Sequence, residues 1–324
     1  MRDLEPVAAR SEPPEPGIER ATVRPYVGRL APSPTGPAHL GIAQTALVAW
    51  LDARAHDGRL LLRIEDVDTP RVVPGAETDL LRDLAWLGLD WDGPVLRQSA
   101  RGAAYRDALA RLDALGRVFS CTCSRKEIRA ASAPHGPRED GPRYPGTCRG
   151  GARPRPDRTP AIRFRTRPED RTVHVDRRLG RLEQDVDAAV GDFVLRRADG
   201  LWAYQLAVTV DDLAQGVSCV VRGADLLGST PRQLTLRRAL DPEAPPLETL
   251  HTPLVLGPDG RRLAKRDGAT AIAARRAVGE PPEHLVGEMA AALGLLPAPE
   301  PIAARDLVAP WRARLVPQAR AAST

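Results

Sequence analysis

Apolar positions along the first third of the chain alternate between two periods. "YVGRLA" (26–31) is an apolar run of one buried strand's length. "RLLLRIEDVD" (59–68) is a second, apolar through Leu60, Leu61, Leu62 and Ile64 before it ends in acidic residues. Between them, 39–56 places Leu40, Ala43, Leu47, Trp50 and Leu51 at helical spacing, which predicts an amphipathic helix. Residues 74–91 open with Pro-Gly and keep a helical period through Leu80, Leu81, Leu84 and Leu87. A further helix is predicted over 101–115 and a short strand over 117–121. This alternation predicts an α/β fold, a parallel sheet with helices on its faces and a ligand site at the carboxyl ends of the strands.

From 124 to 160 the pattern breaks into Pro, Gly and Arg, which predicts a loop-rich insertion without a core of its own. Strand signals return at 161–166, 171–176 and 192–197. Asp199-Gly200 then reads as a hairpin turn leading into a strand over "LWAYQLAVTV". Residues 216–226 predict another strand, followed by a helix capped by Ser229 or Thr230 with Pro231 in its first turn. No internal repeat is visible.

Composition adds bounds. The 324 residues suffice for one large domain with appendages or for two domains. Charged residues at 27% and apolar residues at 42% are ordinary for a globular protein. The net charge of +5 suits a polyanionic partner without requiring one. No stretch approaches the length of an apolar membrane span. The Pro- and Glu-rich start lacks the apolar segment of a signal peptide, so residues 1–25 are expected to be a disordered leader on a cytoplasmic protein.

Three stretches carry candidate chemistry. In "RLAPSPTGPAHLG" (29–41) a strand, a proline-stiffened loop and a helix start follow one another, with His39 and Gly41 at the start. Unpaired first-turn N–H groups and the positive end of the helix dipole make an anion site there, or else a stiff turn with a capping histidine. "TPLVLGPDGRRLAKRDGA" (252–269) holds Lys265-Arg266 in a loop, which by itself is a solvated face or a cation for phosphate. Among Cys121, Cys123, Cys148 and Cys219, the first three cluster and suggest metal, while Cys219 sits in an apolar strand and reads as core. Three thiolates are one ligand short of a tetrahedral site. The fourth could come from His135, Tyr144 or water, and ligand chemistry favours His135.

The first two stretches resemble the ATP signatures of the glutamate- and glutamine-specific class I aminoacyl-tRNA synthetases, over about residues 26–270. The resemblance implies a Rossmann-type catalytic domain formed by 26–120 and 192–245, interrupted by a zinc-containing insertion over 121–191. Residues 246–324 would carry the lysine loop and a short C-terminal helical region. It further implies that His39, Gly41 and Lys265 contact ATP, with His39 and Lys265 facing the charge of the departing pyrophosphate. Glutamate would be held by Arg29, Leu30, Ala31, Pro32, Ser33, Glu65, Tyr204 and Arg222. Three positions depart from the pattern, which has histidine where Ile42 stands, lysine where Arg262 stands and serine where Ala264 stands.

The C-x-C…Y-x3-C spacing is similar to the zinc site of the glutamyl-Q tRNA(Asp) synthetases, which implies Cys121, Cys123, Tyr144 and Cys148 as ligands. Only 59 residues follow Lys265, short of an anticodon-reading region, so this short branch is the nearest resemblance. It implies activation of glutamate with ATP and Mg²⁺ and its transfer to the queuosine of tRNA(Asp). The alternatives are a shortened enzyme charging the 3′ end of tRNA(Glu), and a non-catalytic RNA-binding descendant. Arginines over 143–158 are expected either to contact RNA phosphates or to stand in a solvated loop.

Overall fold

Two parallel ribbons meet edge to edge and leave the site where they meet. A computed structural model describes residues 24–132, 143–151, 155–255 and 271–315. In chain order the first elements are β1 (Val27–Leu30), α1 (Leu40–Ala55), β2 (Arg59–Ile64), α2 (Ala76–Trp86), β3 (Leu96–Arg97), α3 (Gly102–Ala114), β4 (Val118–Cys121) and α4 (Arg125–Ser132). Then come β5 (Ala161–Phe164), β6 (Arg171–Asp176), β7 (Gly180–Asp185), α5 (Val186–Ala189), β8 (Phe193–Arg196), α6 (Tyr204–Ala214) and β9 (Cys219–Gly223). The chain continues through α7 (Ser229–Leu240), β10 (Glu248–Thr252), α8 (Ile272–Ala277), α9 (Pro282–Ala292) and α10 (Val308–Leu315).

β1 pairs in parallel with β2, and β2 with β3. β9 pairs in parallel with β10 and β10 with β6, while β7 returns antiparallel at the edge. The two ribbons touch at their starts, where Ser218 N donates to Val27 O at 2.9 Å and Val27 N to Ser218 Oγ at 2.8 Å. Farther along, the Arg29 guanidinium takes the place of a backbone rung, with Nη1 donating to Val221 O at 3.0 Å. The chain leaves β1 toward β2 on one side and returns on the other as β9. This is the reversal of strand order at which open α/β sheets bind ligands.

Period-2 alternation divides the second strand. Leu60, Leu62 and Ile64 enter a core with α1, α2 and α9, and Arg63 and Glu65 alternate with them toward α6. α1 is not the half-buried amphipathic helix its spacing suggests. It is buried on nearly every side because α10 covers its far face, where Trp311 Nε1 donates to Asp52 Oδ1 at 3.1 Å. Arg312 Nε caps the end of α1 through Ala55 O at 2.8 Å. A second core joins α3, α6 and α7 to the antiparallel sheet β4–β5–β8.

Several expectations need correction. The strand at 117–121 is β4, which lies in that antiparallel sheet and not in the parallel one. β4 and β8 sandwich β5 there, so the boundaries expected at 120 and 191 run through a single sheet. The turn at Asp199-Gly200 forms, with Arg196 bridging Trp202, but its second arm stops there. Residues from Tyr204 onward are α6, because Leu206, Ala207 and Val210 pack against Tyr105 and Leu236 on a helical period. Neither Ser229 nor Thr230 caps α7. Gly228 is the N-cap, and Thr230 lies inside the helix, turned toward Arg222. β3, β7, β10, α4 and α5 carry no counterpart in the apolar pattern of the sequence. α4 carries a sequence signal, since Ser124 and Glu127 form a reciprocal capping box. Among the described residues no helix is long and apolar enough to cross a membrane.

Candidate active site and thiol cluster

A cavity of about 680 Å³ opens at the carboxyl ends of β1, β2 and β9. Its lining includes Arg29, Leu30, Ala31, Pro32, Ser33, His39, Gly41, Glu65, Tyr204 and Arg222, so every described residue expected at the site faces one space. Lys265, with Arg262 and Ala264, lies outside the described residues.

The loop between β1 and α1 is pinned from both sides. Glu65 N donates to Pro32 O at 3.0 Å and Val73 N to Pro34 O at 2.9 Å. His39 is the N-cap of α1, its Nδ1 accepting from Ile42 N at 3.4 Å. The first N–H groups of the helix, at Leu40 and Gly41, have no intrahelical acceptors. A Cβ at position 41 would lie 3.2 Å from the imidazole of His39, so glycine lets the ring fold back over the helix start. That explains the H-x-G spacing locally, beside any approach of a phosphate.

The two arginines of the cavity differ. Arg29 is buried and has a carboxylate partner, with Nε 3.5 Å from Asp212 Oδ1. Arg222 is equally buried, yet its acceptors are all neutral. Nε donates to His251 Nε2 at 3.2 Å, Nη1 to Gln233 Oε1 at 2.8 Å and Nη2 to Thr230 Oγ1 at 2.7 Å. Among the described residues no carboxylate forms an ion pair with it. Burial pulls its pKa down, but a guanidinium stays charged, and the neutral Tyr204 hydroxyl beside it is a further uncharged partner. A buried cation held by neutral dipoles is a receptor for an anion.

Acidic groups flank it. Arg63, fully buried, donates through Nη1 to Asp212 Oδ1 at 2.7 Å and through Nη2 to Glu65 Oε1 at 3.2 Å. Burial pushes the Glu65 carboxyl up, against the pull of Arg63 and Arg29. Asp212 ends below the usual range, because those two cations outweigh its own burial. Burial and the nearby Glu65 raise the Tyr204 hydroxyl, which therefore stays a neutral donor. Arg63, Asp212, Thr230, Gln233 and His251 escaped the motif-based expectations. Their signal is a polar side chain inside an apolar run, as in "LLLRI" and "LAVTVDD".

A second cluster lies where β4 ends. The Sγ atoms of Cys121, Cys123 and Cys148 lie within 4.8 Å of one another, and Cys123 and Cys148 are 3.6 Å apart. Tyr144 Oη is 3.3 Å from Cys121 Sγ and 3.9 Å from Cys123 Sγ, and it accepts from Cys148 N at 2.8 Å. Bonds of about 2.3 Å to a tetrahedral ion would set sulfurs about 3.8 Å apart, close to this spacing. The three thiols can hold a metal. His135 lies outside the described residues, and Cys219 is buried in β9 as core.

The described arginines of the stretch from 143 to 158 have their partners within the protein. Arg149 forks onto Asp192 at 2.7 Å to each oxygen, and Arg155 and Arg158 reach Glu127 at 2.7 and 3.1 Å. These three brace the insertion.

Comparison with known proteins agrees with this geometry. Residues 26–300 match the family described as tRNA synthetases class I (E and Q), catalytic domain. A Symbiobacterium thermophilum protein named Glutamyl-Q tRNA(Asp) synthetase is 49% identical over 297 residues, covering 87% of this chain and 90% of that relative. A protein of the same name from Bordetella bronchiseptica is 55% identical over 249 residues, covering 76% and 77%. Among solved structures, a glutamate tRNA ligase from Elizabethkingia meningosepticum, in complex with its amino acid, matches with a TM-score of 0.73 at 26% identity. The match takes in 88% of this chain, which spans 64% of that ligase's length. The α/β fold with its parallel sheet is therefore the class I catalytic fold, and the chain belongs to the glutamate- and glutamine-specific class I tRNA synthetases.

Proposed function

We propose that this chain is an ATP-dependent ligase of the cytoplasm that activates L-glutamate without needing tRNA. It then transfers the glutamyl group to the queuosine of tRNA(Asp). The observation that carries the reading is the buried, uncompensated charge of Arg222, facing the same cavity as Glu65 and the start of α1. The names of the relatives supply the acceptor.

Glutamate brings two carboxylates and one ammonium group. Arg222 and the Tyr204 hydroxyl take the side-chain carboxylate, and Glu65 takes the ammonium. Arg29, already shared with Asp212, holds the wall against β9 and lies beside the amino acid. ATP lies over the start of α1, its phosphates toward Gly41 and His39, with Mg²⁺ carried on the nucleotide. An α-carboxylate oxygen then bonds to the α-phosphorus as the bond from that phosphorus to pyrophosphate breaks. The nucleophile is already ionised, so no general base is needed. Catalysis rests on alignment, on the Nε2–H donor that His39 keeps while its Nδ1 accepts from Ile42 N, and on the cation of Lys265, both facing the pyrophosphate charge.

Cys121, Cys123, Tyr144 and Cys148 hold a structural Zn²⁺, which ties the end of β4 to the 144–148 loop. The zinc would thereby brace the loops of 121–191 while β5 stays in one sheet with β4 and β8, and 246–324 supplies the lysine loop and terminal helices.

The test is glutamate-dependent ATP–pyrophosphate exchange without RNA, followed by glutamate transfer to tRNA(Asp) from normal and queuosine-deficient cells. Exchange without tRNA and transfer only to the queuosine-bearing tRNA are expected. Transfer that ignores queuosine would point to 3′-end charging, and no exchange would remove the activity altogether.

A further inference from the structure

Behind the cavity wall stands a chain of buried polar groups that the activation step does not itself use. Asp176, the last residue of β6, and His251 on β10 both have fully buried side chains. His251 Nδ1 lies 2.7 Å from Asp176 Oδ2, and His251 Nε2 lies 3.2 Å from Arg222 Nε. Asp176 also accepts from the backbone N–H groups of Arg178, Leu179 and His251. Those four donors hold it as a carboxylate that accepts and never donates.

The protonation pattern follows. Arg222 Nε can only donate, so His251 Nε2 must present its lone pair. Its proton then sits on Nδ1, facing Asp176. The imidazole therefore acts as a neutral spacer. It transmits the orientation imposed by Asp176 to Arg222, yet keeps that carboxylate from pairing with the guanidinium and cancelling its charge. Thr230 Oγ1, 3.3 Å from His251 Nε2, completes this edge.

We propose that His251, oriented by Asp176, is the positioning residue that aims Arg222 at the carboxylate of glutamate and keeps it available to an anion. The inference rests on the proposed glutamate site.

The experiment uses the full chain and measures KM for glutamate and for ATP separately in pyrophosphate exchange. His251→Gln leaves an amide oxygen near the place of Nε2 and can still accept from Arg222. His251→Asn ends nearer the place of Nδ1 and leaves Arg222 Nε without that acceptor. His251→Asn is expected to raise KM for glutamate about tenfold, with KM for ATP nearly unchanged. His251→Gln should recover most of that loss. Equal effects of the two variants, a parallel rise in both KM values, or no rise would overturn the proposal.

Should His251→Asn not fold, Asp176→Asn serves in its place. Its amide favours the other imidazole tautomer, which turns an N–H toward Arg222, and KM for glutamate should again rise selectively. An unchanged value overturns the proposal. Wild-type protein without exchange activity would instead refute the glutamate site, and this inference with it.

Discussion

Arg29 and Arg222 bring the same side chain to the same cavity, and their neighbours give them different work. Asp212 compensates Arg29, whereas His251, Thr230 and Gln233 leave Arg222 charged and unpaired. Glu65 is the acidic counterpart. Burial lifts its carboxyl above the ordinary 4.5, with Arg63 and Arg29 pulling the other way. KM for glutamate should therefore rise as pH falls through the raised pKa of Glu65 toward 4.5, as Glu65 takes up a proton and releases the substrate ammonium. Glu65→Gln should start from a high KM and lack this limb. A wild-type profile with the same shape as the variant's would exclude Glu65 from the site. The folded state holds this proton more tightly than the unfolded chain. Its contribution to stability is therefore present below 4.5 and lost as pH rises through the same interval, opposite in sign to the gain in affinity.

At the scale of elements, the insertion shows composition and structure diverging. The stretch from 143 to 158 reads as loop, yet Arg149, Arg155 and Arg158 tie it to Asp192 and Glu127 across the segment. Long-range ion pairs of this kind leave no period in the sequence. The capping box Ser124–Glu127 was legible, and it sits directly after the C-x-C pair. One zinc per chain is expected from metal analysis. Tyr144→Phe should weaken retention of the ion against a chelator by about 10- to 100-fold, and His135→Ala should leave it unchanged. The reverse ranking would move the fourth ligand to His135, and protein without zinc would remove the site. Helix α6 shows the opposite failure. "LWAYQLAVTV" is β-branched and aromatic enough to suggest a strand, but burial against α3 and α7 outweighs local propensity.

At the scale of the molecule, Asp52 joins parts far apart in sequence. Fully buried in α1, it accepts from Tyr26 Oη at 2.6 Å, from both Nη atoms of Arg177 at 2.6 and 2.9 Å, and from Trp311. It thus ties the strand before the site, the β6–β7 turn and the terminal helix to one carboxylate. Asp52→Ala should cost about 3 kcal/mol in urea unfolding, because it strands the largely buried Arg177. Tryptophan emission should shift to the red as α10 loosens. A loss below about 1 kcal/mol would show that the hub contributes little. By itself the sequence determined the class of fold and the strand–loop–helix start of the site, because periodicity and motif spacing are local properties, and its family resemblance pointed to residues that line one cavity. Only the tertiary structure decided which buried charges are compensated. Asp212 beside Arg29, and His251 between Asp176 and Arg222, are set by strand order and burial, which bring together residues that no spacing along the chain relates.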